Sequence, residues 1–150
     1  MNITYRMANK TELPVIAALL TKNKLPASDI SDIPVDFIIA ADENNKVIGS
    51  IAVERFATEG LLRSFAVDES YRNQKIGNHL FDRLITYCLQ SGISNLHLLT
   101  TTAKNYFAAR GFAVLQREEA PASIQATTEF SFLCPSSSTY MKKTLIHSTL

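Results

Sequence analysis

Apolar positions along the chain alternate between two periods, and the changes of period mark the elements. Ile3 to Arg6 reads as a first strand. Leu13, Ile16, Ala17 and Leu20 then recur at helical spacing, with Thr11 placed to cap the start of that helix. The stretch Leu25-Pro26-Ala27-Ser28-Asp29-Ile30 reads as a loop with a short helix. Phe37 to Ala41 is a strand, Asp42-Glu43-Asn44-Asn45 a turn, and Lys46 to Glu54 a returning strand. On that strand Val47, Gly49, Ile51 and Val53 share one face. A short polar link leads to a further strand from Leu61 to Val67.

A long amphipathic helix follows. Ile76, Leu80, Leu84 and Cys88 form its stripe, Phe81 and Ile85 reinforce it, and Gly92 stops it. Leu96 to Thr100 is a short buried strand, Thr102 to Phe112 a helix closed by Gly111, and a strand runs through Leu115. Pro121 suits the first position of a helix reaching Leu133, which Pro135 ends. Thr139 to Leu145 is the last strand, and Ile146 to Leu150 a loose tail. Strands first, then alternating helix and strand, predict an α/β fold with a mixed sheet covered by helices on both faces. With no repeat and no long linker, residues 1–150 are expected to form a single domain.

Composition narrows the function classes. At 150 residues and 46% hydrophobic, the chain can bury a real core. The formal charge is +1 with acids and bases interspersed, unlike the concentrated basic surface that nucleic acid requires. No apolar run is long enough for a bilayer, and MNITYRMANKTELPV lacks the apolar core of a signal peptide, so cytoplasmic residence is expected. Cys88, on the helix stripe, and Cys134, before Pro135, read as buried thiols, with no base placed to activate either. His79, His97 and His147 are scattered without metal-ligand spacing, so no metal is expected.

The chemistry gathers between Leu61 and Leu80, LLRSFAVDESYRNQKIGNHL. Arg72-Asn73-Gln74-Lys75-Ile76-Gly77-Asn78 opens the long helix, where unpaired backbone N–H groups and the positive end of the dipole favour an anion. Arg72 and Lys75 add formal charge, and Gly77 lets a ligand approach the backbone. A phosphate group of a small-molecule cofactor is the natural guest; an ordinary solvated helix start accounts for the same residues. Glu54, at the end of its strand, is a candidate general base acting through water, or a solvated strand end. Arg63 shares a strand face with Leu61, Phe65 and Val67, where a charge is costly unless paired. It either pairs with an internal acid or clamps a substrate anion through its planar fork.

The Arg72–Gly77 segment resembles the acetyl-CoA-binding motif of the GNAT superfamily of N-acetyltransferases, with Lys75 in place of the first glycine of the pattern. A positive φ at that position would make lysine costly. The helix ending Arg110-Gly111-Phe112 resembles the second signature of that family. The segments LLRS, LLTTTA and TTEFSFLCPSSS further resemble N-acetyltransferases associated with arsenic-resistance operons.

The resemblance implies a GNAT-like fold whose two central parallel strands splay apart to admit coenzyme A, with acetyl-CoA as acetyl donor. It implies that Phe65, Ala66 and Val67 pair with the pantetheine arm through backbone atoms. The phosphates then sit on Arg72, Asn73, Gln74, Lys75, Ile76, Gly77 and Asn78. Phe107 occupies the place where the family often has a tyrosine that protonates the leaving thiolate. Tyr106 lies one step earlier, turned by about 100°, and suits core or pocket lining. A thiol of pKa ~8.5 can leave without a dedicated acid.

Acceptor recognition is assigned to Arg63, Ser64, Asp29 (for an ammonium) and Tyr106, with Glu129 a further pocket residue or a helix-surface acid. The expected activity is direct acetylation of a small, amino-acid-like amine, in arsenic resistance an arsenic-containing analogue, by a monomer or homodimer. A non-catalytic acyl-CoA-binding module is the alternative, supported by Phe107 and Lys75.

Overall fold

A computed structural model describes residues 2–71, 75–133 and 137–145. Strands β1 (Thr4–Met7), β2 (Val35–Ala41), β3 (Val47–Phe56), β4 (Glu59–Val67), β5 (Asn95–Thr100), β6 (Ala113–Leu115) and β7 (Thr139–Thr144) form a mixed sheet in the order β1-β2-β3-β4-β5-β7-β6. The helices are α1 (Leu13–Lys22), α2 (Ile76–Gln90), α3 (Lys104–Ala108) and α4 (Ala122–Gln125). The chain gathers into two compact units, Met1–Glu54 with Arg63–Tyr87, and Arg55–Leu62 with Cys88–Leu150. Among the described residues no helix is long and apolar enough to cross a membrane.

In the first unit β1, β2 and β3 pair antiparallel, with Phe37 opposite Ala52 and Ala40 opposite Gly49. Side chains alternate across a sheet, so these two pairs lie on opposite faces. Phe37, Ile39 and Ala52 share a core with Ile16, Leu19 and Leu20 of α1. Gly49 faces α2 instead: a Cβ there would meet Leu80 Cδ1 at 3.0 Å, Ala66 O at 3.3 Å and Ile76 Cγ2 at 3.4 Å. Glycine is what lets α2 lie close to the sheet. Coverage of both faces explains why β3 is buried at every position from Val47 to Glu54 rather than on one face alone.

The second unit holds the three-position parallel register of β4 with β5, Glu59 to Leu61 against Asn95 to His97. Its core joins Leu61, Ala120, Ile124, Phe130 and Tyr140, with the rings of Phe130 and Tyr140 edge to face at 5.5 Å.

Local chemistry moves several boundaries. Asn9 rather than Thr11 starts the first helical segment: its N–H donates to Glu12 Oε1 at 3.0 Å, and a 3₁₀ turn over Lys10–Glu12 precedes α1. The helix expected from Pro121 to Leu133 is α4 followed by a separate π-type turn at Glu129–Leu133. Thr127 divides them, because its hydroxyl donates to Ile124 O at 2.7 Å and accepts from Phe130 N at 3.3 Å, replacing backbone bonds. The Gly111 closure has its expected form: φ is 92° there, and Phe112 N donates to Phe107 O at 3.1 Å. Cys88 is fully buried. Arg72, Asn73, Gln74, Cys134 and the 146–150 tail lie outside the described residues.

Candidate active site

Strand β4 changes conformation at its centre. Ser64 has φ 57°, a left-handed backbone that costs a non-glycine residue about 1–2 kcal/mol. Its carbonyl is held by the buried hydroxyl of Ser50 on β3, which donates to it at 2.7 Å. Ser64 Oγ is itself buried and finds no hydrogen-bond partner among the described residues. Ser50 positions this bend, and its one signal in the sequence is a hydroxyl within the apolar run Val47–Val53. The bend also breaks the two-residue alternation. Phe65 and Val67, which alternation places on one face with the buried Leu61, are half-buried, and Ala66 between them is the buried one.

Immediately before the bend, Arg63 enters a cluster with Asp29 and Glu54. Arg63 Nη1 donates to Asp29 Oδ2 at 2.8 Å and Nη2 to Asp29 Oδ1 at 2.5 Å, a two-toothed pair. Nη1 also donates to Glu54 Oε1 at the longer distance of 3.2 Å. The arginine side chain is wholly buried, and the two acids nearly so. Asp29 comes from the α1–β2 connection, anchored by its neighbour Ile30 in the core of the first unit. Glu54 is not at a solvated strand end: β3 continues to Phe56, and Glu54 lies opposite Val35 of β2. Burial pushes the Glu54 carboxyl above its ordinary pKa; Arg63 pulls it down and the charge of Asp29 raises it again.

Of the two readings of Arg63, the geometry is that of pairing with internal acids. A substrate anion would reach its fork only by displacing a buried carboxylate. Asp29, in turn, faces a guanidinium and not an open ammonium position.

Strand β4 ends beside the start of α2. Asp68 N donates to Ile48 O at 2.7 Å, and Asp68 Oδ1 accepts from Ser70 N at 2.9 Å, which turns the chain. Lys75 directly precedes the helix with φ 60°. Ile76 is buried. Gly77 faces the end of β4: a Cβ there would lie 3.6 Å from Phe65 Cζ and 3.8 Å from Val67 Cγ2, ordinary contact distances. Among the described residues, therefore, nothing demands glycine at this position. Asn78 occupies the first turn.

In the second unit, α3 carries Tyr106 and Phe107. Phe107 is buried, edge-on to Tyr106 at 5.3 Å and to Phe112 at 5.5 Å. Arg110 stacks its guanidinium on the Tyr106 ring at 3.6 Å. Glu129, read as a helix-surface acid, is buried instead, because the π-type turn replaces the expected exposed helix. Among the described residues no group of three or more His, Cys, Asp and Glu could hold a metal ion.

The family model described as Acetyltransferase (GNAT) family matches residues 11–114. The amino-acid acetyltransferase of Escherichia coli (strain K12) is 30% identical over 94 residues, which cover 61% of this chain and 21% of that protein. The amino-acid acetyltransferase of Pseudomonas putida is 38% identical over 64 residues, 43% of this chain and 15% of the relative. The chain thus spans only a small part of these curated relatives. Among solved structures, N-acetylglutamate synthase from Neisseria gonorrhoeae, complexed with coenzyme A and N-acetyl-glutamate, superposes with a TM-score of 0.79. It is 23% identical and covers 98% of this chain and 36% of its own. An acetyltransferase of the GNAT family from Staphylococcus aureus Mu50 gives a TM-score of 0.78 at 21% identity, over 97% of this chain and 100% of its own. Both share the fold described above.

Proposed function

Because the chain belongs to the acetyltransferase (GNAT) family, we propose that it moves an acetyl group from acetyl-CoA to the amine of a small acceptor by direct transfer. Acetyl-CoA supplies an activated thioester; the protein's tasks are to hold it, to bring the amine neutral to its carbonyl carbon, and to stabilise the developing oxyanion.

The start of α2 fits the donor's phosphates. A 15-residue helix opens there, Lys75 stands at its entrance, and Gly77 leaves the space above the backbone to a ligand although an alanine would fit the protein. Arg72, Asn73 and Gln74 belong to the same proposed contact set, with Ile76 and Asn78 within the helix. The backbone of Phe65, Ala66 and Val67, turned by Ser64, pairs with the pantetheine arm and offers an N–H to the oxyanion. Phe107 packs beside the thioester and donates no proton; the thiolate, of conjugate-acid pKa ~8.5, leaves unaided.

The observation that carries the chemistry is Glu54, a buried carboxyl held above its ordinary pKa. It takes the proton of the acceptor ammonium through water; the free amine then forms the C–N bond as the C–S bond breaks, and the proton that remains on nitrogen passes to water as the amide forms and the thiolate departs. The buried Ser64 hydroxyl supplies a hydrogen bond to the acceptor, and Tyr106 lines the pocket. Arg63 and Asp29 stand behind Glu54.

The amino-acid acetyltransferases among the relatives support an amino-acid-like acceptor. An arsenic-containing amino-acid analogue is the finer proposal, resting on the LLRS, LLTTTA and TTEFSFLCPSSS segments. Cytoplasmic residence goes with the same reading. The test is a screen of amines, amino acids and such analogues, reading released CoA by its free thiol. Turnover of an amino-acid-like amine supports the proposal. Acetyl-CoA binding without turnover of any amine leaves a non-catalytic acyl-CoA-binding module, and no binding ends the reading.

A further inference from the structure

We propose that Asp29 is a positioning residue for Glu54: by engaging both terminal nitrogens of Arg63, it keeps the guanidinium from closing a two-toothed pair with Glu54 and so leaves Glu54 able to take up a proton. The inference deepens the reading of Glu54 as general base and, for its catalytic consequence, rests on it.

The geometry is asymmetric in the sense this requires. Arg63 gives Asp29 two bonds, at 2.8 and 2.5 Å, and gives Glu54 one, at 3.2 Å through the nitrogen already bonded to Asp29. A planar fork satisfies one carboxylate fully or two partially. Here it is aligned with the acid from the α1–β2 connection, not with the acid on the neighbouring strand. Among the described residues, the charged groups that act on Glu54 are Arg63 from β4 and Asp29 from that connection, while its registered neighbour on β2 is the uncharged Val35. Burial makes the Glu54 charge costly, Arg63 relieves that cost, and the charge of Asp29 works against ionisation. Removing the Asp29 charge therefore acts twice in one direction: a nearby repulsion is lost, and the guanidinium is released toward Glu54. Both changes favour ionised Glu54 and weaken it as a base at neutral pH.

The test follows the Glu54 side-chain carboxyl by carbon NMR across pH in the whole chain, without substrate. The pH profile of kcat/KM is measured alongside on the best amine from the screen. Asp29→Asn should lower the Glu54 midpoint and carry the acid limb of kcat/KM down with it. kcat should fall roughly threefold to tenfold, as for a weakened base, with KM changed less. Asp29→Glu, which can still hold the fork, should restore much of both. A folded Asp29→Asn whose Glu54 midpoint is unmoved or raised overturns the proposal.

If Asp29→Asn does not fold, the double variant Asp29→Asn/Arg63→Met carries the test, since removing a whole buried pair is better tolerated than breaking it. There the Glu54 midpoint should rise above wild type, because burial acts alone; a midpoint at or below wild type overturns the proposal. Failure of the base reading has a different signature. The Glu54 midpoint then moves as stated while the kcat/KM profile does not, and Glu54→Gln keeps full turnover.

Discussion

His97 Nε2 lies 2.8 Å from Glu59 Oε1, joining the buried imidazole of β5 to the first residue of β4. On the other side of the ring, Nδ1 lies 2.8 Å from the Tyr140 hydroxyl on β7. Glu59 also accepts from Asn95 Nδ2 at 2.9 Å; burial raises its carboxyl, but Asn95 and His97 outweigh that and hold it below the usual range. An ionised carboxylate only accepts, so Nε2 carries the proton. Burial holds the His97 pKa below its ordinary value, although Glu59 pulls the other way, so the ring is neutral, Nδ1 accepts and Tyr140 donates. Burial also pushes the Tyr140 hydroxyl up to about 12, which keeps it a donor.

This network predicts a pH dependence of stability. The unfolded chain binds a proton at His97 near pH 6.5, and the folded chain only at lower pH. Between those values the unfolded state holds more protons, so stability falls as pH drops below about 6.5. The lowered Glu59 pKa continues the decline at more acid pH. Urea midpoints should show the slope in wild type and lose most of it in His97→Gln; equal slopes refute the assignment. Tyr140→Phe leaves Nδ1 without its donor and should cost roughly 1–3 kcal/mol.

Lys75→Gly should stabilise the protein. At φ 60° a Cβ costs about 1 kcal/mol that glycine avoids, and the side chain is exposed, so little packing is lost. A melting temperature higher by roughly 2–4 °C is the expected outcome. If the Lys75 ammonium also meets the donor's pyrophosphate, acetyl-CoA affinity should fall in the same variant, most at low salt. Stability and affinity then move oppositely, which a backbone effect alone would not produce.

Helices and strands were legible where one period holds. Ile76, Leu80, Leu84 and Cys88 predict the α2 stripe, and all four are buried. The strands fell within a few residues of their observed places because turn residues bracket them. Legibility ended where a side chain competes with the backbone or the backbone leaves its usual region. Thr127 splits a helix expected between Pro121 and Pro135. Ser64 bends a strand that alternation treats as straight, which misplaced Phe65 and Val67. In the candidate site Arg63, Glu54 and Asp29 were each singled out, but their meeting was not, since Asp29 lies 34 positions from Arg63 along the chain. The Glu59–His97–Tyr140 network was missed for the same reason: its three members come from separate strands.

Acetyl-CoA should raise the melting temperature of the wild-type chain. Gly77→Ala should fold normally, since its Cβ meets Phe65 and Val67 at ordinary contact distance. Gly77→Val should remove most of the ligand-induced shift by filling the approach to the helix start, and Arg72→Ala should remove less. A full shift in a folded Gly77→Val places the phosphates elsewhere.

Phe107→Tyr tests the leaving group. Phe107 is packed between Tyr106 and Phe112, so a hydroxyl there must find a partner or distort the aromatic cluster. A change in turnover of a few-fold is expected, measured under saturating acetyl-CoA. Acceleration by orders of magnitude would mean that thiolate protonation limits the reaction.

Arg63→Met distinguishes an internal cation from a substrate clamp. In the folded chain the guanidinium bonds Asp29 twice and Glu54 once, and its side chain is fully buried. Removing it leaves two buried carboxyls facing each other without their cation, which costs about 3–5 kcal/mol where a buried pair is broken. Part of that loss should return in Asp29→Asn/Arg63→Met, which removes the uncompensated partner as well. Anionic and neutral acceptors should then lose kcat/KM alike, because the change reaches both through Glu54. Melting temperature, with kcat/KM for a carboxylate-bearing amine and for an uncharged one of similar size, decides the matter on a single variant. A stable Arg63→Met with a loss confined to the anionic amine would show that the fork leaves Asp29 to hold substrate, and the internal pair would then be a resting arrangement that the acceptor displaces.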